Sequence, residues 1–194
     1  MVTLIVVAII ALNPSPNLLN QTTERYSRAV GFQWVMESTV KSPAFDETET
    51  TPVEFIYGSP DTFYYKSANE EVIGVADTVW IMSKKHHQIQ KKLMEEYTNP
   101  ADFIFKWNKR YDLIGSSESK NEVEFNLKGH NGINPPDLKL TIDNKARLRK
   151  LSYTDSSGND VVLVIKNERL LRAKKINVFY ENPPSGYKLI DLTE

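Results

Sequence analysis

The side chains best equipped for chemistry stand together in WIMSKKHHQIQ, Trp80 to Gln90, where two adjacent histidines sit among lysines. Imidazoles bind metals and move protons near neutral pH, so His86 and His87 are the first candidates for a metal or acid–base site. Their spacing argues against it. On a strand, neighbouring side chains point to opposite faces, and two adjacent imidazoles cannot chelate one ion. The third histidine, His130, belongs to a distant turn, and no His-x-x-x-His or His-Glu-x-x-His pattern occurs. Both residues read as partly exposed members of a strand edge or turn. Ser83 near His86 lacks the Gly-x-Ser-x-Gly context of an activated serine. Glu95 and Glu96 are adjacent, whereas paired glycosidase carboxylates must flank a bond from two sides. They read as a solvated pair. Cysteine is absent, which removes disulfides, thiolate metal sites and a cysteine nucleophile. No phosphate-binding loop, dinucleotide fingerprint or calcium loop is found. Neither an enzyme nor a cofactor is expected.

The lysines of the same stretch, Lys84, Lys85, Lys91 and Lys92, have two readings. They can be a solvated face that blunts a strand edge. They can also be a docking face for an acidic partner or an anionic lipid. The net charge is −1, with an acidic stretch at Ser42–Thr51, so no overall field favours nucleic acid.

The surrounding chain must build a scaffold for whatever these residues do, and its pattern is period two. Phe32, Trp34 and Met36 alternate with Gln33, Val35 and Glu37. Val53, Phe55 and Tyr57 follow, then Phe63 and Tyr65. Val123, Phe125 and Leu127 oppose Glu122, Glu124, Asn126 and Lys128, and Leu138, Leu140 and Ile142 oppose Lys139, Thr141 and Asp143. Val161, Leu163 and Ile165 form another set, and Ile176, Val178 and Tyr180 a last one. Each is a strand with one wet face. The turn-rich segments YGSPD (Tyr57–Asp61), HNGINPPD (His130–Asp137) and DSSGND (Asp155–Asp160) imply antiparallel meanders. Ser42–Thr51 reads as a loop between the first two strands.

Two segments break the alternation. In SPNLLNQTTERYSRAV, Leu18, Leu19, Thr22, Tyr26, Ala29 and Val30 share one helical face, with Pro16 at the first helical position and Gly31 as the stop. NPADFIFKW, Asn99 to Trp107, is the other helix, with Asn99 as cap, Pro100 at its first position and Asp102 in its first turn. At the N-terminus, MVTLIVVAIIAL suits the apolar core of a secretory signal, too short to cross a bilayer of about 30 Å. The alternative for this run is a buried first strand. The expected organisation is a signal segment at residues 1–13 and one domain over 14–194.

Many one-faced strands and few helices leave one solution. The sheet must curl onto itself, and the helices plug the open side. The fold class is therefore mainly β (α+β): a strongly curved antiparallel sheet or partial barrel. Its large inner-face residues are Phe32, Trp34, Met36, Phe55, Tyr57, Phe63, Tyr65, Trp80, Met82, Phe103, Phe105 and Phe125, with Leu127, Leu140 and Leu163. They can form an ordinary packed core or line an apolar pocket, and periodicity does not separate the two.

Taken in order, these pieces resemble one family, the periplasmic outer-membrane lipoprotein carriers of the LolA type. RYSRAVGFQWVMEST is similar to the family's first helix and first strand. VADTVWIMSKKHHQIQ is similar to its Asp…Trp…Gln hairpin, with Asp77, Trp80 and Gln88 matching. YTNPADFIF resembles the Asn-x-Pro segment that opens a lid helix. RYDLIG and VEFNLKG resemble the strands that follow, and NVFYENPPSGYKLIDL the closing segment, with Pro183, Pro184, Gly186 and Asp191 in register. The chain departs from the family at Ser59, where an arginine associated with lid closure usually precedes Pro60, and at Thr78, where a turn glycine is usual.

The resemblance implies a half-open β-barrel with an N-terminal helix and a lid helix over an apolar cavity. It also implies a monomeric periplasmic carrier that takes acylated lipoproteins from an inner-membrane ABC-type release complex and delivers them to an outer-membrane acceptor lipoprotein or the outer membrane itself. There is a physical need for such a carrier. Each exposed methylene costs about 0.8 kcal/mol, on the order of tens of kcal/mol for three chains in water. An adaptable lining of Phe, Trp, Met and Leu under a movable cover would hide them and still release them. The alternatives are a lipid-sensing regulator of envelope stress on the same fold, or a lipocalin-like binder of a small hydrophobic ligand, which needs a closed barrel.

Overall fold

The structure is a computed structural model and describes residues 16–59, 62–172 and 184–193. The expected signal segment and the strand set at Ile176–Tyr180 lie outside the described residues.

Among the described residues, the alternating segments assemble into one twelve-stranded sheet. Its strands are β1 (Gly31–Ser42), β2 (Glu47–Ser59), β3 (Thr62–Lys66), β4 (Glu70–Val75), β5 (Thr78–Ser83), β6 (Gln88–Leu93), β7 (Tyr111–Glu118), β8 (Glu122–Gly129), β9 (Asp137–Asp143), β10 (Leu148–Thr154), β11 (Asp160–Leu171) and β12 (Lys188–Asp191). Two antiparallel meanders, β1–β6 and β7–β11, join where β11 pairs with β1. β12 adds to β6 in parallel. The order runs linearly from β12 to β7, so among the described residues the curved sheet stays unclosed. This is a half-open barrel, not the closed one that a lipocalin-like binder needs.

The open side is plugged by α1 (Asn17–Ser27), α2 (Asp102–Phe105) and α3 (Trp107–Arg110). α1 buries Leu19, Thr22 and Tyr26, the face its periodicity selects. The expected helix at Asn99–Trp107 is instead two four-residue helices, broken where Lys106 leaves helical geometry at φ −115° and ψ 7°. Asn99 does cap the segment: its Oδ1 accepts from the N–H groups of Ala101 (2.9 Å) and Asp102 (3.2 Å). Asp102 Oδ2 accepts in return from the Asn99 N–H at 3.2 Å, a reciprocal cap.

Two other expectations need correction. Ser42–Thr51 is mostly strand, because Glu47–Thr51 extend β2 and pair with β1 as far as Ser42. Alternating threonines hold that extension, and Thr39 and Thr50 hydroxyls meet across it at 3.1 Å. Gly31 is not a helix stop, since α1 ends at Ser27. A side chain at Gly31 would come within 2.4 Å of the Tyr57 carbonyl oxygen, so glycine is needed there for the close approach of β1 to β2.

Candidate functional site

Strand register sorts the inner face into continuous cross-strand rows. Trp34 faces Phe55, which faces Tyr65, then Val72 and Ile81. Phe32 faces Tyr57, Phe63, Gly74 and Val79 in the same way. On the other arm, Ser38, Leu163, Leu151, Leu140 and Phe125 form one row, and Val40, Val161, Tyr153, Leu138 and Leu127 the next. Period-two geometry then puts every member of these rows on the concave side.

The rows meet as a chain of aromatic rings. Tyr26 packs on Phe32 at 4.8 Å between centroids, and Phe32 on Trp34 at 4.5 Å. Trp34 reaches Phe55 at 5.6 Å, Phe55 reaches Phe63 at 6.2 Å, and Phe63 stacks on Tyr97 at 5.5 Å. From the helical side, Phe105 lies 5.1 Å from Tyr57, and Phe103 lies 5.5 Å from Tyr153. Phe32, Trp34, Phe55, Phe63 and Phe125 are fully buried. Gly74 makes room for this chain: a Cβ there would sit 2.2 Å from Phe63 Cε1, inside the ring's own space.

Thirteen of the fifteen residues expected inside are brought together: ten in these rows, Met36 between Val53 and Ile165 on the same face, and Phe103 and Phe105 on α2 facing them. Trp80 and Met82 are not. Trp80 pairs with Ile73 and Lys91, and Met82 with Glu71 and Ile89, and these are the positions that alternate away from Val72, Val79 and Ile81. They sit on the outer face, where Lys91 Nζ lies 5.8 Å above the Trp80 ring. In TVWIMS both faces of the strand carry large apolar residues, so alternation does not say which one is inside. Residues missed by sequence reasoning are Tyr97, Tyr111 and Tyr153. Tyr97 stands in an aperiodic connection, and Tyr153 on β10, whose polar LRKLSYT pattern hides a strand.

The expected docking lysines do not form one free face. Lys84 pairs with Glu71 at 2.9 Å and Lys91 with Asp191 at 3.1 Å. Lys84 and Lys85 occupy the β5–β6 turn together with His86 and His87, where His87 takes a positive φ of 51°. β12 covers the edge of β6 that the lysines were expected to blunt. Among the described residues, no cluster of three or more His, Asp or Glu residues could hold a metal ion.

Polar groups tie the plug to the sheet. Glu168, opposite Trp34 on β11, accepts from the Tyr26 hydroxyl and pairs with Arg25 at 2.6 Å. The Leu148 N–H donates to the Tyr26 oxygen at 3.2 Å. Burial, with the Glu168 charge alongside, pushes the Tyr26 pKa well above the usual phenol range, so it stays a donor. Beside this latch, Tyr26, Val30, Tyr57, Phe105 and Lys106 line a cleft of 440 Å³ between the end of α1 and α2. Its volume is in the range of small-molecule sites, and it opens onto the Phe32–Tyr57 part of the aromatic chain.

No family model matches the sequence. No curated protein matches it either. Solved structures are similar to it, and the first named here shares its fold. An uncharacterized conserved protein from Thermus thermophilus superimposes over 90% of this chain and 98% of its own, with a TM-score of 0.52 at 11% identity. A LolA superfamily protein from Nitrosomonas europaea covers 84% of this chain and 96% of its own, with a TM-score of 0.46 at 10% identity. A putative outer membrane lipoprotein-sorting protein domain from Vibrio parahaemolyticus covers 83% and 94%, with a TM-score of 0.47 at 10% identity.

Proposed function

We propose that the protein is a carrier of acyl chains, with the concave aromatic face as its binding wall and α1 and α2 as its cover. One observation carries this reading. Among the described residues, the aromatic rows are closed over by the short helices α1, α2 and α3, not by a second sheet. A wall of Phe, Trp, Met and Leu offers contact without directional demands, which suits chains of varied length. The cleft beside Tyr57 and Phe105 gives a place where a chain tip could enter before the helices part.

The sequence resemblance extends this reading to lipoprotein traffic. On it, acylated lipoproteins are the cargo, the periplasm is the location, and an inner-membrane release complex and an outer-membrane acceptor are the partners. The experiment is recovery of the protein from the envelope fraction of an expressing cell, followed by mass spectrometry of whatever comes with it. Co-purifying acyl species support the reading. Protein free of them, and unable to take up a fluorescent fatty acid, would sink it.

A further inference from the structure

Among the described residues, Glu70 is a charged side chain on the concave face without a partner. Glu70 opens β4 in the same alternation as Val72 and Gly74, opposite Ser83 on β5. Tyr65 pairs with Val72, which makes Glu70 its diagonal neighbour on that face. Among the described residues, the Glu70 carboxylate makes no hydrogen bond or ion pair, while the next residue, Glu71, takes both Lys66 and Lys84 on the outer face.

Two phenols, Tyr65 and Tyr97, feel this carboxylate, and Tyr153 in turn adjoins them. Tyr97 stacks on Phe63, whose strand neighbour two residues on is Tyr65. Tyr153, on the opposite arm, is held against Phe103. Tyr111, 6.5 Å from Phe103, keeps a buried hydroxyl with no hydrogen-bond partner among the described residues. Burial raises the pKa of Tyr97, and the Glu70 charge and the Tyr65 and Tyr153 phenols add to it, so these groups feel one another. Tyr65, Tyr97 and Tyr153 are only partly buried, unlike Phe32 and Trp34. Their partial exposure makes this the solvent-facing mouth of the concave face.

We propose that Glu70, Tyr65, Tyr97 and Tyr153 form a headgroup subsite for the ammonium of an amphiphile whose chain lies on the concave face. A single carboxylate cannot supply the oxygen shell of a divalent metal. It opposes a phosphate or a fatty-acid carboxylate, and it matches one ammonium. Tyrosine faces add cation–π attraction in a partly dry site. The inference rests on the acyl-carrier reading and adds a polarity to it: chain inward, amine at the mouth.

The test is displacement of a fluorescent acyl probe from the full chain by dodecylamine, dodecanol and dodecanoate, with the native protein and with Glu70→Gln. The native protein should bind the amine about tenfold more tightly than the alcohol, equivalent to about 1.4 kcal/mol. E70Q should lose that preference while keeping the alcohol's affinity, which also reports that the variant is folded. Equal affinities for amine and alcohol in the native protein, or a preference that survives in E70Q, overturn the subsite and leave the carrier reading standing. Failure of every dodecyl compound overturns both. A diacylated lipopeptide with a free α-amine, its N-acetylated form, and lysophosphatidylethanolamine then separate the sources. Discrimination between the two lipopeptides assigns the site to a lipoprotein terminus, and tight binding of the lysolipid alone to a phospholipid headgroup.

Discussion

The hydroxyl of Thr23 on α1 lies 2.9 Å from the carbonyl oxygen of Ile104 on α2, and 3.1 Å from that of Leu19 within its own helix. The longer-range bond joins two helices that are far apart in sequence into one plug. Thr23→Val keeps the shape and removes the donor. The expected cost is about 1 kcal/mol, seen as a melting point lower by roughly 3 °C. Stopped-flow uptake of a fluorescent acyl probe should be faster in the variant, because the cover is what loosens.

The Glu168 latch should be the stronger contact. Glu168→Gln leaves Tyr26 an acceptor and takes the charge from Arg25; urea unfolding should show a loss of about 1–2 kcal/mol. Glu168→Leu strands both partners, and a loss of about 3 kcal/mol is expected. The order of the two variants is the informative part.

Gly74→Ala should disturb the binding wall without touching its chemistry. The new methyl would overlap the Phe63 ring, whose atoms lie 2.2–2.8 Å from its position. The ring is fully buried and cannot swing into solvent. A destabilisation of about 1–3 kcal/mol is expected by thermal unfolding, with weaker binding of long acyl chains than of short ones.

Acid should weaken the β9–β10 turn. Asp143 Oδ1 accepts from the N–H groups of Lys145 (2.9 Å) and Arg147 (3.0 Å), and Oδ2 binds the Arg147 guanidinium at 2.7 Å. Burial alone would raise its pKa, but the hydrogen bonds from Arg147 and Lys145 outweigh it and lower the value. A lowered folded pKa means stability that is present above the ordinary carboxylate pKa of about 4 and is lost as pH falls through the folded value. Asp143→Asn should therefore cost about 1–2 kcal/mol at neutral pH. Unfolding midpoints measured from pH 7 downward should converge for the two proteins below about pH 4.

Much of the fold is legible in the alternation, because Phe32, Trp34 and Met36 or Leu138, Leu140 and Ile142 can hide only if their strands share one buried face. The curl follows from too few helices to cover that face. What escapes the sequence has physical causes. β10 carries Arg149, Lys150 and Ser152 on its wet side and a bulge near Leu148, which blurs its period. Trp80 and Met82 look like wall residues because size and apolarity do not report facing; only pairing with Ile73 and Ile89 does. The Glu70–tyrosine group joins residues from β3, β4, β10 and an aperiodic connection, and no local pattern links them.

The central claim, that acyl chains lie on the concave face, is tested most directly by the two tryptophans on opposite faces. Trp34 is fully buried within the aromatic rows, and Trp80 pairs with Lys91 outside them. Two single-tryptophan proteins, each with the other two tryptophans changed to phenylalanine, should be titrated with a fatty acid brominated along its chain, below its micelle concentration. Quenching of Trp34 fluorescence that saturates, with Trp80 unaffected, is the expected result. Unchanged Trp34 emission, or equal quenching of both, would contradict it.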